Sequence, residues 1–373
     1  MFFRRVFVCA LFGVAASAHA DAQLQQFVDQ TLAQTRERAA LPAIAALVQI
    51  NGQIEAQSAV GVRALGNSIA VTKTDRWHIG SDTKAMTATL IARLVERGEL
   101  SFDDTMAEIF PGIAAAMNAQ LHDVTLRQLL THTAGLPALT DPKDIANFDA
   151  VIMATKGLRA QRAAVVEYYL RRPPASKVGE FAYSNLGYVI AGAVAESRST
   201  KTWEDMLRAE VWKPLGITSA SFGAPGRSGR FDQPLGHVRA GEKFQPLEPG
   251  DPKSDNPAPV GPAGTVNITL ADWAKFAQDQ LDGLHGHGKL LKPATYALLH
   301  TPVKHRYAMG WGVLTDAKGD ISLLAHTGSN GYWVADIRIL PRENAIYLLV
   351  TNAGGEVAEK AIRDTNTTLT APR

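Results

Sequence analysis

WHIGSDTKAMTATLIARLVERG, residues 77–98, is where the chain changes its period. Met86, Leu90, Ile91, Leu94 and Val95 fall on one face of a helix expected over about 81–97, and Gly98 ends it. Upstream lie an amphipathic helix at 24–38 and then strand patterns. Residues 43–50, the turn Asn51-Gly52 and residues 54–62 read as a β-hairpin, because Asn-Gly supplies the positive φ angles a tight turn needs. Downstream the middle stays largely helical, at 126–131, 160–171, 186–197 and 203–212, with Thr202 and Asp205 resembling a capping box. After a short helix at 271–281, capped by Thr269 and Asp272, strands return at 308–314, 321–325, 333–340 and 345–351, and a last helix follows near Val357. Strands at both ends of a helical middle predict an α+β fold: one antiparallel sheet completed by the two termini, flanked by helices, with a mostly helical region inserted.

The 373 residues are 46% hydrophobic and 20% charged, which excludes disordered, collagen-like and coiled-coil classes. Residues 1–20 read as a cleaved signal peptide. Arg4 and Arg5 precede an apolar run at 6–17, and Ala18-His19-Ala20 forms a small-x-small cleavage site before Asp21. The run is shorter than the ~20 residues that span a bilayer, so the mature protein is expected to be periplasmic or secreted, with no stable membrane span. Cys9, the only cysteine, lies inside the leader, and Val6-Phe7-Val8 before it lacks the small residues of a lipoprotein site. The mature chain then has neither disulfide nor cysteine nucleophile. Without Arg4 and Arg5 the chain holds 36 basic and 36 acidic residues, with no basic and aromatic cluster, so nucleic acid is not expected as a partner. The expected division is a discontinuous α/β sheet domain, 21–80 with 260–373, and a mostly helical domain, 81–259. Pro and Gly make up 16 of the 42 residues at 223–264, which predicts a long irregular excursion, either the border or cover of a cleft or a plain surface loop.

Three short motifs carry chemistry. In Ser81-Asp82-Thr83-Lys84, helical spacing brings Lys84 onto the face of Ser81, where an amine can take the proton that keeps a serine hydroxyl from being a good nucleophile. The N–H groups of the first helical turn can stabilise charge on an attacked carbonyl. In Tyr183-Ser184-Asn185 a phenol can relay a proton between nucleophile and leaving group, and an amide can orient the lysine or hold a substrate carbonyl. In His326-Thr327-Gly328 the first two side chains could bind a substrate carboxylate or carbonyl, and the glycine would let a substrate backbone pass close to the sheet. Taken singly, each has an ordinary structural explanation: a capping serine, a part-buried tyrosine, a structural histidine.

Each motif occurs once, in the order Ser-x-x-Lys, Tyr-x-Asn, His-Thr-Gly, with steps of 102 and 143 residues. In this the chain resembles the serine β-lactamase and penicillin-binding-protein superfamily, in particular its class C and DD-carboxypeptidase branch. The likeness runs from about Ile44 to Gly354 and includes 129–137 (LLTHTAGLP), 183–192, Pro214-Leu215-Gly216-Ile217, Pro262-Ala263-Gly264 and Val350-Thr351-Asn352. The resemblance implies a β-lactamase/transpeptidase-like fold with Ser81 as the acylated nucleophile and Lys84 with Tyr183 as shared general base and acid. It implies that Asn185 orients the lysine and substrate amide, that the backbone N–H groups of Ser81 and Ser329 form the oxyanion hole, and that His326, Thr327 and Gly328 face the substrate. The chain departs from the β-lactamases of this branch at His326, where they usually carry lysine. With a pKa near ~6.5 a histidine is only partly charged at neutral pH, which weakens the anchoring of an anionic substrate. Efficient β-lactamase activity therefore ranks no higher than peptidase or esterase activity.

Other features carry less. Ser254-Asp255-Asn256 matches a class A β-lactamase motif but lies too late in the chain and reads as coincidence; His285-Gly286-His287 reads as a surface turn and not a metal site; His132 is expected to fix a loop. There is no Gly-x-Ser-x-Gly, no His-Glu-x-x-His and no Gly-rich nucleotide loop, so neither metal nor cofactor is expected. The expected activity is that of a serine hydrolase acting through an acyl-enzyme on a small-molecule or peptidoglycan-derived substrate: a β-lactam, a D-alanyl peptide or an ester. The alternative is a penicillin-recognising protein or sensor that is acylated or binds without turnover.

Overall fold

The computed structural model describes residues 11–251 and 254–371. Arg4, Arg5 and Cys9 of the expected leader lie outside the described residues. The chain opens with helix α1 (Leu11–Arg38), and no helix among the described residues is long and apolar enough to cross a membrane.

Strands β1 (Ala43–Ile50) and β2 (Gln53–Gly61) form the expected hairpin, with Asn51 at φ 51° and Gly52 at φ 77°. β1 is buried along nearly its whole length, because both of its faces are covered. Ala43, Ala45 and Leu47 join the large core under the helical region, while Ile44, Ala46 and Val48 pack with Val28 and Leu32 of α1 and Ile362 of the terminal helix Glu356–Leu369. Each large aliphatic side chain buried this way stabilises the fold by roughly 1.5–3 kcal/mol.

The next strand, β3 (Arg76–His78), leads through a single 3-10 turn, Gly80–Asp82, into helix α2 (Thr83–Glu96). The inserted region contributes the helices Leu126–Leu130, Pro142–Met153, Leu158–Leu170 and Asn185–Ser197. Its interior holds a buried charge cluster, in which Arg162 binds Glu196 at 2.6 Å and also pairs with Glu204. The pattern at 203–212 divides into an α-helix, Trp203–Leu207, and a π-helical turn, Arg208–Trp212.

The Pro/Gly-rich excursion departs from the expectation of irregular chain. β4 (Ser221–Phe222) precedes it, and β5 (His237–Ala240) and β6 (Lys243–Pro246) form a two-stranded hairpin inside it. Proline is tolerated there because the pair has free edges on both sides. β7 (Val266–Thr269) pairs with both β3 and β4. The C-terminal strands β8 (Gly312–Thr315), β9 (Ile321–Ser329), β10 (Val334–Leu340) and β11 (Ala345–Thr351) complete the main sheet, in the order β2-β1-β11-β10-β9-β8. The pairings that link these six strands are antiparallel, and β1 joins β11 with Ile44 opposite Thr351. The fold is therefore α+β, with helices on both faces of one antiparallel sheet.

Candidate active site

Ser81 sits where sheet and helical region meet. The turn that carries it is pinned on one side by Ile79 N–H, which donates to Val266 O at 2.9 Å. The end of β9 presses on it from the other side, and both partners approach without side chains. A Cβ on Gly328 would lie 2.0 Å from Ile79 O and 2.8 Å from Ser81 N. Gly80, at φ 50°, would put one 2.5 Å from Ser329 N. The backbone nitrogens of Ser81 and Ser329 thus border one seam, and the short turn leaves its first N–H groups outside the α-helical ladder.

One helical turn on, Lys84 is fully buried. Its Nζ stands 2.9 Å from Ser81 Oγ, 2.8 Å from Asn185 Oδ1 and 2.7 Å from Ala263 O. Burial lowers its pKa from 10.5 to about 7, with Asp82 opposing the shift. A neutral amine has two N–H bonds and one lone pair. Two of its neighbours are carbonyl oxygens, which can only accept, so the lone pair is left for the hydroxyl of Ser81. Asn185 arrives as the first residue of its helix, with Ser184 as N-cap accepting from Gly187 N at 3.1 Å. Ala263 belongs to Pro262-Ala263-Gly264, a phrase whose role was not legible in the sequence.

Tyr183 lies against the amine, its ring centroid 4.9 Å from Lys84 Nζ. Burial raises the pKa of its phenol, partly offset by the Ser81 hydroxyl, so the proton stays on oxygen at neutral pH. His132 packs against this ring at 4.2 Å between centroids. It does fix a loop, as expected: Nδ1 accepts from Ser184 N at 3.1 Å and its carbonyl accepts from Ala182 N at 2.8 Å. It also forms the back wall of the site, buried with Tyr188 and Tyr307, which sequence reasoning missed. Burial, with help from Lys84 and His326, holds its pKa well below 6.5.

The expectation that His326 is partly charged at neutral pH is corrected by its surroundings. It is buried, with Nε2 3.3 Å from Tyr307 Oη and Nδ1 3.6 Å from Asp82 Oδ1. Burial, reinforced by Lys84, lowers its pKa to about 3, so the imidazole is neutral throughout the physiological range. Asp82 is equally buried, and burial together with Asp336 pushes its carboxyl well above the usual range. Thr327 faces the other side of the sheet, opposite Asp336, and its hydroxyl donates to Asp336 Oδ2 at 2.7 Å. Ser81, Lys84, Tyr183, Asn185 and the backbone of Ser329 therefore converge. His326 backs the site as a neutral group, and Thr327 turns away.

The sequence Ser254-Asp255-Asn256, read as coincidence, touches the site's supports: Asp255 contacts His78 at 3.1 Å and Asn330 at 2.8 Å. Among the described residues no group of three or more His, Cys, Asp or Glu side chains converges to hold a metal ion. His285 instead bonds Pro341 O at 3.2 Å.

Residues 28–371 match the family model for Beta-lactamase. The chain is 30% identical over 328 residues to "Penicillin-binding protein 4" of Amycolatopsis lactamdurans, covering 84% of this chain and 81% of that protein. It is 25% identical over 346 residues to "Protein flp" of Staphylococcus aureus (strain N315), spanning 92% of this chain and 66% of the other. Among solved structures, SurE superposes with a TM-score of 0.74 at 23% identity, over 94% of this chain and 76% of that one. A class C beta lactamase from Rhodobacter sphaeroides gives 0.71 at 19% identity, over 92% and 99%. The two structural likenesses concern the fold alone.

Proposed function

Because the chain belongs to the beta-lactamase family, we propose that it is a serine hydrolase working through an acyl-enzyme at Ser81. The observation that carries this is the desolvated Lys84 amine, 2.9 Å from Ser81 Oγ and held by two carbonyl oxygens. In the proposed sequence the lone pair of Lys84 takes the hydroxyl proton as Ser81 Oγ attacks the substrate carbonyl. The N–H groups of Ser81 and Ser329 stabilise the oxyanion, and Tyr183, which keeps its proton at neutral pH, passes one to the leaving group. Water then releases the acyl group, with the same residues acting in reverse.

The substrate class follows from charge. His326 is neutral and the hydroxyl of Thr327 is committed to Asp336, so neither supplies a cationic anchor for a carboxylate. Ester and amide carbonyls on neutral leaving groups suit this site at least as well as β-lactams or D-alanyl peptides. A relative named as a penicillin-binding protein supports recognition of such acyl donors, and acylation without turnover is the competing outcome. We also propose that the first 20 residues direct the chain to the periplasm or outside the cell and are removed there; N-terminal sequencing of the exported protein should begin at Asp21.

Two measurements test the activity. A fluorophosphonate or fluorescent penicillin should label Ser81 and nothing in Ser81→Ala; a label on another residue would end the mechanism. With a chromogenic ester and a cephalosporin, continuing steady-state release identifies an enzyme, whereas a single stoichiometric burst identifies a sensor.

A further inference from the structure

We propose that Asp255 is a positioning residue that locks together the two backbone segments carrying the oxyanion-hole donors, Ser81 N–H and Ser329 N–H. The inference rests on the acyl-enzyme reading of Ser81 and adds to it a residue from the Pro/Gly-rich excursion.

Two side chains meet on Asp255, and the orientation of each is fixed from behind. His78 is the last residue of β3, buried, two residues before Gly80. Its Nδ1 receives the Gly80 N–H at 3.1 Å. A backbone N–H can only donate, so Nδ1 is the accepting nitrogen and Nε2 carries the proton. That proton points at the Asp255 carboxylate, 3.1 Å away. On the other side, Asn330 immediately follows Ser329. Its Oδ1 accepts from Tyr332 N at 3.1 Å and Trp333 N at 3.2 Å, so its amide cannot turn over and its Nδ2 donates to Asp255 Oδ1 at 2.8 Å. The Asn256 N–H also donates to Oδ1, at 2.7 Å, and Trp333 stacks on His78 with centroids 5.4 Å apart.

His78 Nε2 lies 3.1 Å from Oδ1 as well as from Oδ2, so its proton is shared across the two-oxygen edge of a carboxylate, and an isosteric amide would set N–H groups against it in place of one acceptor. One bond reaches the turn before Ser81 and another reaches the residue after Ser329. Losing either frees one wall of the seam to shift, and such donors stabilise an oxyanion only when held to a few tenths of an ångström.

The test uses the full chain, unaltered and as Asp255→Asn and Asp255→Ala. Phosphonylation by a fluorophosphonate places a P=O oxygen in the oxyanion hole, and phenylboronic acid forms a tetrahedral serine adduct that does the same. In Asp255→Asn the first-order rate constant of phosphonylation should fall ~10–100-fold, below the ~10²–10³-fold cost of deleting a donor outright. The concentration giving half-maximal rate should change less than ~3-fold, and phenylboronate affinity should fall in parallel with the rate, since only the tetrahedral state uses both donors. In the unaltered protein, ¹⁵N NMR of His78 should show protonated Nε2 and bare Nδ1. A rate constant within twofold of the unaltered protein's in Asp255→Asn overturns the inference, as does a protonated Nδ1 in His78. Should Asp255→Ala fail to fold, the isosteric Asn variant and the His78 tautomer still decide. Absence of Ser81 labelling in the unaltered protein overturns the acyl-enzyme itself; labelling that Asp255→Asn leaves unslowed overturns only the role of Asp255.

Discussion

Lys84 Nζ stands 2.9 Å from Ser81 Oγ while Asn185 Oδ1 and Ala263 O occupy its other sides, so the neutral amine has a lone pair aimed at one hydroxyl. Removing that lone pair without removing bulk should isolate its effect. Lys84→Met should lower the rate of Ser81 acylation by ~10²–10⁴, the usual worth of a positioned general base. Lys84→Arg should not restore it, because a guanidinium keeps its proton. Stopped-flow labelling compares the three proteins, and a Met variant within tenfold of the unaltered chain would exclude lysine as the base.

The same amine sets the pH dependence. Burial lowers Lys84 from 10.5 to about 7, and only its deprotonated form is a base. kcat/KM for a neutral ester should therefore rise with pH, half-maximal near pH 7, and level off above it. A profile flat from pH 5.5 to 9 would show that Lys84 does not take the proton.

Because Tyr183 keeps its proton, that plateau should show no descending limb below pH 10. Tyr183→Phe retains the ring against Lys84 and His132 but removes the hydroxyl. It should cost ~10²–10³ in kcat, within the range for a proton relay, with thermal stability little changed. Undiminished turnover would move the relay elsewhere.

With His326 neutral down to about pH 3, its charge cannot discriminate among substrates at working pH. The ratio of kcat/KM for an anionic acyl donor to that for a neutral one should stay constant from pH 5 to 9. A ratio that fell through pH 6.5 would restore a cationic histidine and refute the buried pairing with Tyr307 and Asp82.

Gly328→Ala would push a methyl group to 2.0 Å from Ile79 O, so the strand end and the Ser81 turn must part. Overpacking of this kind costs typically 1–3 kcal/mol, readable as a lowered denaturation midpoint, with acylation reduced because both donor segments move. A variant equally stable and active would mean that the seam is loose.

The sequence disclosed the sheet because its strands announce themselves locally. Asn51-Gly52 can hardly be anything but a turn, and 345–351 has the same limits in sequence and structure, β11 being Ala345–Thr351. It singled out Ser81, Lys84, Tyr183 and Asn185, which the structure brings together, because their spacing and order form a joint signal. It could not disclose that Ala263 lends a carbonyl to Lys84, 179 residues away, or that Tyr307 backs His326, since neither residue type is distinctive and neither contact follows from a local pattern. The charge of His326 was misjudged because a reference pKa assumes water, and the burial of position 326 is tertiary information. The excursion looked structureless because prolines and glycines forbid central strands, yet β5 and β6 pair only with each other and escape that restriction.

β1 has β2 on one edge and β11 on the other, so the sheet's first strand is completed by its last. On a ribosome the two are separated by roughly 300 residues, about 15–60 s of translation. For that interval a bare, apolar strand edge waits for its mate, open to pairing with another nascent chain. A product terminated before residue 345 would keep that edge of β1 exposed, with the pairing hazard of an unprotected strand.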